Sequence, residues 1–326
     1  MSEVLSTFSP IFSQMCHWII DLPLYEQRVR QLQHQIPLFF QPWWLDAACG
    51  PDHWYPLCHP TEALIWPVFL RQKGPFRYLT MPPLTPRLGT CPPQLPSDAD
   101  WTELRRLFPG LIYCLQHFST EIPPKRAENG VLTPRHHYSI ERTGDTGILW
   151  DNTHTLARRH IRKSEQLLTL QPNADPDQLY ALMQRSLARH GVSHLLSPAR
   201  FRLMVEASLT AGQGAVWAAK DDSGQIHAAI WLVWDHQSVY YLAGGLDDRI
   251  RQVGASRWLL WKGMELAQGR RFDFGGGMSP SVGQVYASLG GQITPYTRMV
   301  WYPHPLVRKT VLQLKKWYAP HDSLYH

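Results

Sequence analysis

The order of strands and helices in the second half of this 326-residue chain most limits the folds open to it. Three β-like runs at 215–220, 226–234 and 238–243 are separated by short turns and predict an antiparallel meander. The third run reaches Gly244 and Gly245, a pair that predicts a bulge or the close approach of another backbone. The second half is therefore expected to be built on an antiparallel sheet.

Helical patterns flank this meander on both sides. Helices are expected before it at 152–166, 175–190 and 198–211, and a further amphipathic helix follows it after Gly254. The remaining elements are expected as a strand at 271–274, a glycine turn at 275–277, a short helix at 282–289 and a strand at 293–301.

The loop between the meander and the amphipathic helix has the composition of an anion site. Small residues at the start of a helix leave backbone N–H groups unpaired, and the helix dipole adds about half a positive charge there. Arg251 and Arg257 flank the small residues and add charge. A phosphate or pyrophosphate is the predicted ligand, although a glycine at a helix start also has purely structural uses.

The first half is rich in proline and less regular. Pro42 predicts a helix that ends at Cys49 and Gly50, and Pro67 places the run 63–70 at a sheet edge. A helix at 101–108 and a strand at 111–117 are also expected. The prolines between 82 and 93 predict loops, which could wall a binding cleft or simply stiffen connections.

Charge and composition divide the chain into two differently built halves. Residues 1–150 hold 12 Lys and Arg against 13 Asp and Glu, whereas residues 151–326 hold 20 against 13. Proline divides 19 to 8 and glycine 7 to 15 between the same halves. The basic surplus therefore belongs to the second half, and two domains are expected at 1–145 and 146–326.

Cysteine usage and the chain start favour a cytoplasmic protein. The five cysteines are odd in number and all lie in the first half, which suits a reducing compartment better than a disulfide framework. Cys49, His53, Cys58 and His59 do not match a compact zinc spacing, so no metal is expected. No signal peptide and no apolar run long enough for a membrane span is found.

Several motifs together resemble the GNAT superfamily of N-acyltransferases. The superfamily's phosphate loop, Gln/Arg-x-x-Gly-x-Gly/Ala, is matched at Arg251 and Gly254, with Ser256 departing in the last slot. Phe272-Asp-Phe-Gly-Gly276, Tyr286-Ala-Ser-Leu-Gly290 and the basic helix 156–163 resemble the FemAB-like branch. The resemblance covers about 150–302, and Trp43-Trp44-Leu45 with Pro82-Pro83-Leu84-Thr85 extends it to the first half as a degenerate GNAT-like domain.

The resemblance implies an α/β (α+β) fold of two GNAT-like domains, each a mixed and largely antiparallel sheet flanked by helices. It also implies transfer of an acyl group from acyl-CoA, such as acetyl-CoA, to an amine on a small molecule or peptide. The pantetheine arm would lie where the strand ending near Gly244 splays from the strand of Asp273. The residues implied to hold coenzyme A are Leu242, Ala243, Gly244, Arg251, Gln252, Val253, Gly254, Ala255, Ser256 and Arg257.

Asp273 and Tyr286 are the catalytic candidates. Asp273 alternates with two phenylalanines in a strand, so its carboxylate should point to the face opposite theirs, either into the cleft or onto the following glycine turn. Tyr286 falls on the short helix where GNAT enzymes often place a proton-donating tyrosine, although FemAB-like proteins often use an aromatic there for packing.

The basic helix and the paired tryptophans are the substrate candidates. Arg158 and Arg162 share a helix face, which is either solvated or contacts a polyanion such as the 3′-phosphate of coenzyme A or a transfer RNA. Trp43 and Trp44 are expected to wall the acceptor cleft. Two alternatives to the acyl-CoA enzyme stay open: a FemAB-like aminoacyltransferase that uses aminoacyl-tRNA, and a non-catalytic GNAT-like binding module.

Overall fold

The computed structural model of the protein describes residues 18–119, 130–142, 145–189, 196–247, 254–277, 279–304 and 306–310. Its strands are β1 (Ile19–Ile20), β2 (Trp54–Cys58), β3 (Ile65–Lys73), β4 (Phe76–Thr80), β5 (Leu111–Phe118), β6 (Gly130–Ile140), β7 (Thr169–Pro172), β8 (Gly214–Lys220), β9 (Ile226–Trp234), β10 (Ser238–Leu246), β11 (Arg271–Asp273) and β12 (Gln292–Trp301). Its helices are α1 (Leu22–Gln31), α2 (Pro42–Cys49), α3 (Asp98–Leu107), α4 (Thr146–Asn152), α5 (Thr155–Leu167), α6 (Pro176–Arg189), α7 (Pro198–Thr210), α8 (Ala255–Leu266) and α9 (Pro280–Ser288).

All of these strands form one 12-stranded sheet, and the pattern of antiparallel and parallel pairings is the same when it is counted inward from either edge. The order is β1-β2-β3-β4-β5-β12-β6-β11-β10-β9-β8-β7. Counted from either edge, three antiparallel pairings are followed by one parallel pairing, β4 with β5 and β10 with β11. In both halves one helix, α3 or α8, connects the two parallel strands. The chain therefore holds two structural repeats, β1–β6 and β7–β12.

The two repeats exchange their last strands. β6 leaves the first repeat and pairs with β11, whereas β12 leaves the second repeat and pairs with β5. β6 and β12 then pair with each other along ten residues, and this pair is called the seam below. The exchange carries side chains with it, since Trp301 of β12 stacks on Trp101 of α3 at a centroid distance of 4.7 Å.

The repeats also share a hydrophobic core. Trp44 from α2 is fully buried and stacks on Trp231 from β9 at 5.8 Å. Phe39 packs against Tyr240 of β10 at 4.9 Å. The backbone N–H of Leu38 donates to the Asp235 carboxylate at 2.9 Å, which also fixes the β9–β10 turn. Burial of such large aromatic surfaces stabilises the contact between the repeats as well as each repeat.

The expected α/β (α+β) fold class is confirmed: two halves of mixed, largely antiparallel sheet flanked by helices. The expected domain boundary between residues 145 and 146 falls at the start of α4, which separates the repeats along the chain. The exchanged strands and the shared core join them in space, so the boundary stays a prediction. Among the described residues, none of the helices has the length and apolar character needed to cross a membrane.

The edge position predicted for the strand containing Pro67 is wrong. β3 lies between β2 and β4, where Pro67 is paired with Pro56. The backbone of Ile65, two residues earlier, bonds to Cys91 on the side away from β2, so the missing N–H of Pro67 faces that side too. The pairing of β3 with β4 starts only at Phe69, two residues after Pro67. No strand is therefore paired with Pro67 on the side where its N–H is missing.

Most expected elements of the second half are confirmed, with shifted ends. The helix expected at 152–166 begins at Thr155 as α5, because α4 ends at Asn152 and His154 accepts the first N–H bond of α5. The close approach expected at the glycine pair is confirmed, since a Cβ on Gly245 would lie 2.3 Å from the backbone of Leu182 in α6. The expected bulge lies between Tyr241 and Ala243, so Leu242 is the extra residue.

Candidate functional site

The N-terminus of α8 lies where the sequence predicts an anion site. Residues 248–253 are outside the described part of the chain, so the predicted ligands Arg251, Gln252 and Val253 are not placed. Gly254 is the N-cap of α8, and as a glycine it has no side chain with which to cap the first turn. That turn holds no acidic residue either. Its N–H groups at Ala255, Ser256 and Arg257 therefore have no side-chain acceptor from the cap.

Gly254 brings this helix start against α5. Its φ of +121° lies in the region that favours glycine. An added Cβ would also lie 2.7 Å from the His160 carbonyl oxygen and 2.8 Å from the Ser164 hydroxyl of α5. Any larger residue would push the two helices apart, so glycine fixes the start of α8 beside the basic face of α5.

Cations surround this helix start. Burial lowers the pKa of His160 first, and the positive charges of Arg257, Arg159 and Lys163 lower it further. Burial also lowers the pKa of Arg257, the first-turn arginine of α8. A helix N-terminus next to three cations with no acid in its first turn is a favourable place for phosphate.

The parallel strands β10 and β11 separate beside this helix. They pair only from Ser238 to Tyr240 on β10, after which β10 continues through the bulge at Leu242 to Leu246. A bulge leaves a backbone group of the extra residue out of the ladder. Leu242 is partly exposed, Ala243 is buried, and Gly244 is packed so closely that a Cβ would lie 2.3 Å from the Tyr241 hydroxyl.

Tyr286 lies on α9 against the same strands. Its ring stacks on Phe274 at 4.6 Å and approaches Tyr241 at 6.4 Å. Burial raises the pKa of Tyr286 well above its usual value, and Tyr241 and Asp273 raise it further. Within the described part of the chain its hydroxyl makes no hydrogen bond, and the raised pKa keeps the phenol protonated at neutral pH.

Asp273 points to the opposite face from Phe272 and Phe274, as the strand alternation predicts. It does not reach an open cleft, because it is 1% exposed. Its carboxylate pairs with Arg87, lies 3.2 Å from Nε2 of His137 and accepts the Gly275 N–H at 2.8 Å.

These contacts decide the ionisation of Asp273. Burial alone raises the pKa, but the Arg87 guanidinium and the His137 and Gly275 contacts outweigh it and hold the pKa well below its usual range. A carboxylate so strongly stabilised in its charged form is a weak base at neutral pH. The Asp273 carboxylate thus contacts the glycine turn, the second of the two expected placements, and its catalytic role stays a prediction.

The paired tryptophans occupy different environments. Trp44 is 0% exposed and part of the shared core, so it differs from the expected cleft wall. Its indole N–H donates to the Thr85 hydroxyl at 3.0 Å, which ties α2 to the proline-rich loop. Trp43 is partly exposed and packs at the margin of the same core.

Replacement of Thr85 with valine tests whether the proline-rich loop is held by this bond. The substitution leaves the Trp44 N–H buried without an acceptor, so we expect the free energy of unfolding to fall by about 1–3 kcal/mol in urea unfolding. Thr210→Val, an exposed site at the end of α7, is the matched control and is expected to leave stability nearly unchanged. Equal stability of the two variants would contradict the packing role.

Arg158 and Arg162 lie on one face of α5, as the spacing predicts. That face borders a groove of about 550 Å³ that also involves Arg159 and Lys163. Arg162 lies over the Trp150 ring at 5.1 Å, and Arg158 is 3.8 Å from the exposed Asp151. Both arginines are thus steadied by α4 at the side of the groove.

Sequence reasoning missed Arg87, His137 and Tyr241. Arg87 follows the proline run, and its pairing with Asp273 spans the two repeats. His137 lies in β6, a strand that the sequence reading did not include. Tyr241 lies in the third strand of the predicted meander. The signal that could have found it is its position three residues before the paired glycines, where a bulge was expected.

Comparison with known proteins finds one family match, in the second half of the chain. Residues 152–280 match the family described as acetyltransferase (GNAT) domain, which includes α5, the meander, α8 and β11. The matched stretch of the chain is therefore similar to GNAT acetyltransferase domains. No curated protein matches the sequence significantly.

The fold of the chain is similar to that of two solved structures, one of them FemX. The crystal structure of FemX superposes with a TM-score of 0.62 at 10% identity, covering 84% of this chain and 95% of that one. A conserved protein of unknown function from Bacteroides thetaiotaomicron VPI-5482 superposes with a TM-score of 0.50 at 13% identity, covering 88% and 100%. At these identities the likeness concerns the fold.

Proposed function

We propose that the protein transfers an acyl group from an acyl-CoA, with acetyl-CoA as the simplest donor, to an amine, and that the second repeat binds the donor. The observation that carries this is the difference between two equivalent helix starts. The N-cap of α8 is a glycine, which supplies no side-chain cap, and the helix start lies beside cations, as a phosphate site requires.

The equivalent helix α3 of the first repeat has the opposite character. Ser97 and Asp100 form a capping box there, and Asp98 adds a second carboxylate to the first turn. The free N–H groups are thus used internally, and the negative charge repels a phosphate. This supports a degenerate first repeat, in the range 1–145, that shapes the protein without binding a donor of its own.

The proposed reaction uses the space where β10 separates from β11. The nitrogen lone pair of a neutral amine attacks the thioester carbonyl, and we assign the backbone N–H at the bulge, at Leu242, as the donor that stabilises the oxyanion. The C–S bond then breaks and the thiolate takes the proton of the Tyr286 hydroxyl. The proton lost by the attacking nitrogen returns Tyr286 to its neutral form, so protons balance.

Aminoacyl-tRNA is the alternative donor. The exposed face of α5 presents Arg158, Arg159, Arg162 and Lys163 along one groove of about 550 Å³. A row of cations of this kind also suits an RNA backbone, with affinity that falls steeply with salt. A non-catalytic binding module is the third possibility, and the unpartnered hydroxyl of Tyr286 favours catalysis over it.

Coenzyme A binding tests the proposal directly. We expect coenzyme A at 100 times its dissociation constant to add about 2.7 kcal/mol to the stability, measured as a thermal shift. Arg257→Gln should weaken the affinity at least about tenfold, because it removes a cation at the helix start. A shift with charged tRNA and none with coenzyme A would favour the alternative donor, and no shift with either would contradict both.

Ser97→Ala is the matched control for this experiment. It removes the cap of the equivalent helix in the first repeat, so it should lower the free energy of unfolding by about 1 kcal/mol. The coenzyme A affinity should stay as in the wild type. A loss of affinity in this variant would instead indicate that the first repeat binds the donor.

We further propose that the enzyme works in the cytoplasm. Cys49, Cys58, Cys91 and Cys114 are free, buried thiols, which suits a reducing compartment. Burial raises the pKa of Cys58 and Cys91 to about 11, so these thiols are unreactive at neutral pH.

A further inference from the structure

Two arginines project from one face of the sheet at the seam. Arg135 of β6 is paired with Tyr296 of β12, and Arg298 of β12 is paired with His117 of β5. Directly paired residues lie on the same face of a sheet, so these four side chains share one face. The ring of Tyr296 lies 5.5 Å from His117 and 6.0 Å from His137, which brings the group together.

The two arginines have no acidic partner among the described residues. The Nε atoms of Arg135 and Arg298 are buried and have no hydrogen-bond partner. Burial lowers the pKa of Arg135 first, and the charge of Arg298 lowers it further, so the two guanidinium groups repel each other. The nearby carboxylate of Asp273 is already paired with Arg87.

The neighbouring groups do not relieve this repulsion. Burial lowers the pKa of His117 to about 4, and Arg298, Arg87 and Arg135 lower it too, so the ring is neutral at pH 7. Burial raises the pKa of Tyr296, which keeps its hydroxyl protonated and available as a donor. The face thus offers two planar guanidinium groups and a phenol without a negative charge to match them.

Unrelieved repulsion between half-buried cations lowers stability, and such sites are typical of function. The guanidinium group donates two parallel hydrogen bonds to a carboxylate or a phosphate, and a bound oxyanion would remove the repulsion at the same time. The four side chains are partly exposed, so a ligand can reach them. Their chemistry matches an oxyanion of a small molecule.

The position of the face relates this oxyanion to the proposed reaction. β6 lies two strands and β12 three strands from β10, which is about 10–14 Å across the sheet. The side chain of Asp273 lies on the same face of the sheet as the arginines. Phe272 and Phe274 lie on the other face, where Tyr286 packs against them. The arginines therefore lie on the face away from α8, where the donor's phosphates are proposed to bind.

We infer that the seam binds a carboxylate or phosphate group of the acyl acceptor, so that the acceptor is an anionic amine approaching from the face opposite the donor. The assignment of the bound group to the acyl acceptor rests on the proposed function. The oxyanion site itself can be measured without any turnover.

Inorganic phosphate and acetate are the probes for the site. We expect phosphate at tens of millimolar to raise the Tm of the wild type by about 2 °C, and Arg135→Gln with Arg298→Gln to abolish the rise. Arg257→Gln, at the other proposed anion site, should keep most of it. A rise that persists in the double variant, or disappears only in Arg257→Gln, would overturn the seam site. A larger effect of acetate than of phosphate would identify the group as a carboxylate.

A second measurement separates ligand binding from a structural role. Because the arginines repel each other, Arg298→Gln alone should raise the Tm in the absence of added anion, whereas loss of a structural contact would lower it. Arg298→Lys keeps the charge but loses the paired donors, so it should retain only part of the phosphate effect. Arg30→Gln, an exposed arginine of α1, is the matched control and should change neither value.

The acceptor itself is tested by comparing amines. Amines that carry a carboxylate or phosphate should react at least about tenfold faster in kcat/KM than their neutral analogues, and Arg298→Gln should remove the preference. A preference that survives in Arg298→Gln would overturn the inference. Coenzyme A should raise the Tm of Arg298→Gln by as much as it raises the Tm of the wild type. Absence of that shift in the wild type would contradict the proposed function and leave the phosphate result standing.

Discussion

Replacing Arg87 with methionine is expected to lower the free energy of unfolding by about 3–5 kcal/mol. The side chains of Arg87 and Asp273 are 9% and 1% exposed, so the substitution leaves a carboxylate buried without its cation. The remaining contacts of Asp273 are the His137 ring and the Gly275 N–H. Urea unfolding at pH 7 measures the loss.

The pH dependence of stability should reverse in the same variant. In the wild type the pKa of folded Asp273 is depressed, so the contribution of the pair is full above the unfolded value of about 4 and is lost as the pH falls below it. In Arg87→Met, burial raises the pKa instead. Stability then falls as the pH rises above about 4.

Two further variants check this explanation. Arg87→Met combined with Asp273→Asn removes both charges, so it should recover much of the lost stability. Arg30→Met breaks the exposed pair with Glu26, whose atoms are 3.7 Å apart, and should change stability by less than about 0.5 kcal/mol. Arg87→Met within 1 kcal/mol of the wild type would show that Asp273 does not depend on Arg87.

Replacing Tyr286 with phenylalanine is expected to slow acyl transfer by about 10²-fold or more while leaving the fold intact. The ring keeps its stacking on Phe274, and the lost hydroxyl has no partner among the described residues, so stability should not change. Release of free thiol from acetyl-CoA is the measurement. Thiol release can be measured without the acceptor, because the leaving thiolate must be protonated whether water or an amine attacks the thioester.

Tyr25→Phe is the matched control for the tyrosine. Tyr25 is also buried, but its hydroxyl donates to the Phe40 carbonyl at 2.7 Å. Its replacement should cost about 1 kcal/mol of stability and leave thiol release unchanged. An unchanged rate in Tyr286→Phe would remove the proposed proton-donating role, and a loss of stability there would assign the hydroxyl to packing.

The second repeat was readily predicted because its signals are local. The meander, the start of α8 and the strand of Asp273 depend on turns, alternation and caps within a few residues. The first repeat was less legible, since β6 carries a proline, two histidines and an arginine in a strand that is central in the sheet. Its polar face belongs to the seam, so the hydrophobic alternation that marks a buried strand is absent.

The site depended on contacts that no local pattern encodes. Arg87 and Asp273 are 186 residues apart, and Ser139 and Thr294, whose hydroxyls are 2.7 Å apart across the seam, are separated by 155. Both contacts join residues of different repeats. Sequence spacing could place Tyr286 on a helix and Asp273 on a strand. It could not show that Tyr286 stacks on Phe274 or that Asp273 pairs with Arg87.

Strand exchange also governs the order in which the chain can mature during synthesis. When the first repeat has left the ribosome, β5 presents an unpaired edge, because β12 is the last described strand to be made. β6 waits in the same way for β11. Neither repeat can finish folding ahead of the other, so an interrupted translation product would carry two open sheet edges prone to pairing with other chains.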